Sequence, residues 1–341
     1  MMNHNPEALH RSLYASASRT LSYGKNKDDP AWRSRVLDKL KELTGLPEKP
    51  STPPEVQIEW RKAQKEFDET RFCFESEPGY WVPCHLLVPS DAVRPPVVIC
   101  LQGHSSGMHI SLGRPKSDID REHIAGGRDF GLQAIKEGYA ALVLEQRAFG
   151  ECHGFDPINE EAVGAGRCHV AAMQAMLIGR TLLGERVLDV QRAIDALEQF
   201  PEVDAQRIAC MGNSGGGTAT YYAACLEPRI QIAMPSCSVC SYEGSIYAMY
   251  HCQCNFIPHA LKYFEMQDLA VLIAPRKLVV VAGRQDDIFP LAPTLRTFET
   301  IEQIYSRAGC PQNCRFVTGD GGHRFYPDEA WPVFRALAQW D

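Results

Sequence analysis

Arg207-Ile208-Ala209-Cys210-Met211-Gly212-Asn213-Ser214-Gly215-Gly216-Gly217 is the stretch that decides how this chain is read. Ile208 to Met211 is a short apolar run with strand character, and Thr218 to Cys225 is a run of mostly small residues with helix character. Gly-x-Ser-x-Gly joins them. A strand that turns sharply into a helix strains the residue at the apex. It also brings the two elements so close that the positions two before and two after the apex must be tiny. Gly212 and Gly216 fill both positions. The turn lifts the Ser214 hydroxyl into the open and leaves the Gly215 N–H at a helix N-terminus, where it can stabilise an oxyanion. A plain glycine-rich turn could carry the same letters, but a strand before and a helix after favour a nucleophile.

Outward from this turn, buried runs alternate with helical ones. Pro96 to Leu101, Tyr139 to Leu144, Ile230 to Met234, Lys277 to Gly283 and Arg315 to Thr318 read as strands. Phe130 to Gly138, a long segment striped by Leu183, Val187, Val190, Ile194 and Leu197, Thr294 to Ala308 and Asp328 to Trp340 read as helices. The alternation from residue 96 predicts an α/β fold with a mostly parallel central sheet and helices on both faces. Ahead of it, Thr70 to Glu75 and Tyr80 to Leu87 flank Glu77-Pro78-Gly79 as an antiparallel hairpin. Ligands then belong at the carboxyl ends of the strands, where Gly103, Ser214, Asp286 and His323 all fall.

A serine hydroxyl needs a base in hydrogen-bond reach and a third group to orient that base. On an elbow of this kind the acid and then the histidine follow the serine in the chain. Among the histidines only His323 lies beyond the strand that ends at Gly283. Asp286 leaves that strand first and is the candidate acid, with the adjacent Asp287 as the alternative. The second oxyanion donor belongs to the loop after Leu101, which makes the His104 backbone N–H the candidate. Gly103 in that loop, and Tyr247 and Met249 in a segment rich in Tyr, Met, Cys and His, are candidate substrate contacts. Met173, Met176, Tyr250 and Phe256 belong with them, either lining an apolar pocket or packing a lid onto the core.

With 45% hydrophobic and 23% charged residues among 341, the chain suits a globular protein with one large core or two domains. A net charge of -7 with no Lys/Arg cluster argues against nucleic acid as a partner. Met1 to Gly24 lacks the apolar centre of a secretory signal, and no run approaches the length of a membrane span, so a cytoplasmic location is expected. Thirteen scattered cysteines fit a reducing compartment. Cys237, Cys240, Cys252 and Cys254 could converge on zinc, but Cys-x-Cys replaces the second Cys-x-x-Cys of a zinc ribbon. Inert packing thiols, and no metal, are the expectation.

Residues 1–60 read as a helical extension and Pro-rich linker ahead of a catalytic domain over 61–341, with insertions near 150–180 and 236–272. Trp32, Val36, Leu37, Leu40 and Leu43 stripe one helix of the extension, which either packs on the domain or makes a homo-oligomer contact.

Phe74-Glu75-Ser76-Glu77-Pro78-Gly79, Gln146-Arg147-Ala148-Phe149-Gly150-Glu151, the elbow from Cys210 to Thr218, His251-Cys252-x-Cys254-Asn255 and Asp286-x-Ile288-Phe289-Pro290 together resemble the α/β-hydrolase superfamily. Within it they are similar to the acetyl-xylan-esterase-like branch of bacterial esterases, near the dienelactone-hydrolase-like proteins. The resemblance covers about residues 65–341. It implies a triad of Ser214, Asp286 and His323 and hydrolysis of a small carboxylic ester without metal or organic cofactor. Amide, thioester or carbon–carbon bond cleavage on the same triad, and a non-catalytic binding protein, are the alternatives. Gln102 departs from the family's usual residue before Gly103, and the serine argues against the dienelactone activity, which uses a cysteine.

Overall fold

Every residue of Pro96–Leu101 is buried, and strand alternation sends its side chains to two sides. Val97, Ile99 and Leu101 enter one core, Val98 and Cys100 another. Such a strand needs cover on both faces, and the computed structural model of the chain, which describes residues 4–154 and 166–340, supplies it. Among the described residues nine strands form one sheet: β1 (Val56–Ala63), β2 (Phe67–Glu77), β3 (Tyr80–Pro89), β4 (Pro96–Leu101), β5 (Ala140–Leu144), β6 (Asp204–Asn213), β7 (Ile230–Ser236), β8 (Lys277–Gly283) and β9 (Cys314–Gly319). Their order is β1-β2-β3-β5-β4-β6-β7-β8-β9. β1, β2, β3 and β5 pair antiparallel in succession, and every neighbouring pair from β5 to β9 is parallel. Helices Trp32–Thr44, Leu182–Leu197, Gly215–Leu226 and Leu291–Arg307 cover one face, and Phe130–Lys136 and Pro327–Ala338 the other. This is the α/β architecture expected from the alternation.

The extension is less separate than its composition suggests. Trp32, Val36 and Leu40 are buried in the main core, and Trp32 Nε1 donates to the Leu21 carbonyl at 2.7 Å. The helix stops at Gly45, whose φ of 54° is left-handed. A Cβ there would also lie 2.2 Å from the Gly179 carbonyl oxygen. Beside it the Thr44 carbonyl accepts both the Thr181 N–H (3.0 Å) and the Thr181 hydroxyl (2.7 Å). β1 then runs across the expected boundary at residue 60. The sequence does not mark it, because it is an edge strand whose residues are mostly exposed, so no burial imposes an apolar alternation on it.

Two of the motifs quoted above interlock here. Arg147 donates from Nε and Nη2 to the buried Asp189 carboxylate at 2.8 Å each and to Glu77 at 2.8 Å, while Ser76 Oγ donates to Asp189 at 2.5 Å. Arg71 of β2 donates to Glu151 at 2.5 Å. Thus Phe74–Gly79 and Gln146–Glu151 are held together by charge. Of the first insertion, residues 155–165 lie outside the described residues; it continues as helix Gly166–Leu177. The second, 236–272, consists mainly of turns and short 3-10 helices.

Candidate active site

Ser214 caps helix Gly215–Leu226 at φ 57° and ψ −125°, a conformation that an L residue holds only when its surroundings impose it. The packing supplies that constraint. A Cβ on Gly212 would lie 2.6 Å from the Gly216 and Leu101 backbone, and one on Gly216 would lie 2.1 Å from the Leu101 carbonyl oxygen. The Ser214 N–H donates to the Ser236 carbonyl at 2.9 Å, tying the apex to β7. Ser214 itself is half-buried, at the carboxyl end of β6.

Asp286 follows β8, and His323 follows β9. His323 Nδ1 lies 2.9 Å from Asp286 Oδ2. The other carboxylate oxygen, Oδ1, accepts the Ile288 and Phe289 N–H groups at 2.9 Å each. Burial works to raise this carboxyl's pKa, but the His323 bond and the two backbone donors outweigh it and hold the group below its ordinary value. Asp287 is exposed. The opposite ring nitrogen, His323 Nε2, is buried with no partner among the described residues. A histidine held by a carboxylate at Nδ1 and bare at Nε2 can take up a proton at Nε2.

The loop after β4 approaches the elbow closely. A Cβ on Gly103 would lie 2.6 Å from the Asn213 carbonyl and 3.0 Å from Ser214 Cβ, and one on Gly215 would lie 2.9 Å from the His104 ring. Gly103 thus lets the loop touch the elbow, and Gly215 makes room for the imidazole. Gln102 is structural: its Nε2 donates to Ser111 Oγ (2.6 Å) and to the Arg128 carbonyl (2.7 Å). Beside His104 opens a cavity of about 690 Å³, whose lining includes Ser105, Ser106, Lys116, His123 and His153 but neither Ser214 nor His323.

Some expected site residues lie elsewhere. Tyr247 stacks on Tyr14 of helix Pro6–Ser16 at 5.2 Å, in a cleft whose lining includes neither Ser214 nor His323. Met249 is half-buried in the same segment, while Met173 (44% exposed) and Tyr250 (85%) face outward. The four grouped cysteines part company as well. Cys237 joins Asp286 and His323, donating its thiol to the Arg324 carbonyl, and burial followed by the Asp286 charge pushes it up to about 12. Cys252 and Cys254 instead meet Cys168 and His104.

His251 adjoins the site as well. Its Nε2 lies 3.1 Å from Ser245 Oγ, and its ring contacts Phe289, on which His323 stacks. Burial first, then the nearby His323 and His104, pushes its pKa down to about 4, so it is a neutral wall. The sequence marked His251 as part of a motif but gave it no place at the site, and only its neighbouring Cys-x-Cys hinted at one.

The model of the Abhydrolase family matches residues 18–317. The provisionally named hydrolase YtaP of Bacillus subtilis (strain 168) is 22% identical over 245 residues, which are 71% of this chain and 77% of that protein. Among solved structures, a provisionally assigned acetyl xylan esterase from Bacteroides fragilis NCTC 9343 superposes with a TM-score of 0.75 at 16% identity, covering 93% of this chain and 83% of its own. A glucuronoyl esterase from Solibacter usitatus reaches a TM-score of 0.65 at 15% identity, covering 94% of each chain. At these identities the structural likenesses establish the fold.

Proposed function

The chain belongs to the Abhydrolase family, and from that premise we propose that it is a serine hydrolase of small carboxylic esters working through an acyl-enzyme. The observation that carries this reading is the strained Ser214 on its elbow at the sheet edge that also holds the Asp286–His323 pair. In this mechanism Ser214 Oγ attacks the ester carbonyl carbon while its proton passes to His323 Nε2. Asp286 holds the imidazole in the required tautomer and balances the imidazolium. The carbonyl oxygen becomes an oxyanion bound by the N–H groups of Gly215 and His104. Its collapse breaks the bond to the alcohol, which leaves with the proton from His323, and water repeats the sequence on the acyl-enzyme.

Ser106, Lys116 and His123 place a few hydrogen-bonding groups on the mostly apolar wall of the cavity beside His104, which suits an alcohol bearing hydroxyls, such as a sugar, joined to a short acyl group. The acetyl xylan esterase name of one structural neighbour points the same way. A series of p-nitrophenyl esters from acetyl to decanoyl, run beside acetylated sugars, tests this. Acetyl esters should turn over fastest and acetylated sugars should be hydrolysed; a decanoyl optimum with inert acetylated sugars would refute the substrate class. Ser214→Ala should lose roughly 10^4 in turnover on every ester.

A further inference from the structure

Three sulfur atoms and an imidazole nitrogen meet beneath the loop that carries His104. The ligating atoms of His104, Cys168, Cys252 and Cys254 all lie within 4.8 Å of one another, with Cys254 Sγ 3.3 Å from His104 Nε2. The four arrive from three separate parts of the chain: the loop after β4, helix Gly166–Leu177 and the second insertion. Cys168 and Cys254 are buried in a small apolar cluster with Ala148, Phe149 and Leu182.

Arg186 supplies a second, independent observation. It is among the largest fully buried side chains, and its guanidinium lies over the Phe149 ring at 4.3 Å. Nε and Nη2 donate to the Arg147 carbonyl, and Nη2 also to Cys168 Sγ at 3.2 Å. Among the described residues no carboxylate pairs with it. A buried cation needs a counter-charge, and the sulfur group that Arg186 faces at Cys168 Sγ can supply one.

From this convergence we infer that His104, Cys168, Cys252 and Cys254 bind one zinc ion in a tetrahedral Cys3His site. Zinc with sulfur at about 2.3 Å and nitrogen at about 2.0 Å sets its ligand atoms roughly 3.5–3.8 Å apart, so the group needs shifts of about an ångström at most. Three thiolates, a neutral imidazole and Zn2+ sum to one negative charge, which Arg186 balances. All four positions are filled by protein, so the ion is structural and leaves no place for water or ester. It fixes the His104 ring, and with it the loop that packs on Gly215.

Metal content tests this without reference to turnover, so its outcome is separate from that of the hydrolase reading. The full chain, produced in zinc-supplemented medium and desalted, should carry about one zinc per chain by plasma mass spectrometry. Replacing it with Co2+ should give a thiolate-to-cobalt charge-transfer band. Cys168→Ser and Cys254→Ser should each weaken zinc binding by at least about tenfold, while Cys240→Ser keeps it. After denaturation in chelator without reductant, all 13 cysteines should react as free thiols. Zinc-free protein that gives no cobalt band, or a disulfide among Cys168, Cys252 and Cys254, overturns the inference even if the serine variants fail to fold.

Discussion

Two adjacent carboxylates with different surroundings separate cause from bystander. Asp286 is buried and accepts from His323 and from two backbone N–H groups; Asp287 is exposed. Asp286→Asn should therefore lose roughly 10^4 in kcat, as removal of an orienting carboxylate does in a dissected triad. Asp287→Asn should stay within about threefold of wild type, because it removes only an exposed charge. Steady-state kinetics on both, with circular dichroism to verify folding, gives the answer; two mild phenotypes would leave His323 oriented by some other group. Gly215 offers a finer probe. A Cβ there meets the His104 ring at 2.9 Å, so Gly215→Ala should displace the loop that bears the second oxyanion donor and lower kcat by up to about 10^2. An unchanged kcat would show that the loop yields without moving its N–H. The turn at Ser214 and the contact between Asp286 and His323 were legible, because the elbow is local and the α/β-hydrolase order of serine, acid and histidine points to these residues. The places of Tyr247 and of Cys168, Cys252 and Cys254 were not. A ring's composition does not say which neighbour it will stack on, and Cys168 meets Cys252 and Cys254 only through the packing of two distant insertions.

Strand pairing carries its own electrostatics. Glu69 on β2 is fully buried, with His85 Nδ1 of β3 at 2.7 Å and Arg114 Nη2 at 2.6 Å. Burial works to raise its pKa, but the hydrogen bonds from His85 and Arg114 and their charges reverse this and hold it at about 2, below the ordinary 4.5. A depressed carboxyl stabilises the fold above its unfolded value, and this contribution is lost as the pH falls from about 4.5 toward 2. The thermal midpoint should drop over that interval, and Glu69→Gln should show a smaller drop; parallel curves for the two proteins would contradict the assignment. The hairpin β2–β3 and the buried parallel strands were legible from period and punctuation. β1 was not, since an exposed edge strand is not required to alternate.

At the scale of the molecule, the helical extension belongs to the same folded unit as the sheet. Trp32, Val36 and Leu40 lie in the core that also holds β2, β4 and helix Leu182–Leu197. Trp32→Ala should cost about 3–5 kcal/mol by denaturant titration, whereas removal of residues 1–17, whose described part has no fully buried residue, should leave the fold and the activity in place. A stability loss in the truncated chain as large as that of Trp32→Ala would give helix Pro6–Ser16 a share in the core. No helix among the described residues is long and apolar enough to cross a membrane. What unites the sheet, the elbow and the loops is the claim that one hydroxyl, that of Ser214, performs the attack. Incubating the full chain with a fluorophosphonate and mapping the adduct by peptide mass spectrometry tests that claim most directly. The account predicts a single stoichiometric phosphonyl group on Ser214, with esterase activity lost in step. A protein that hydrolyses esters yet remains unlabelled, or carries the label on another residue, would contradict it.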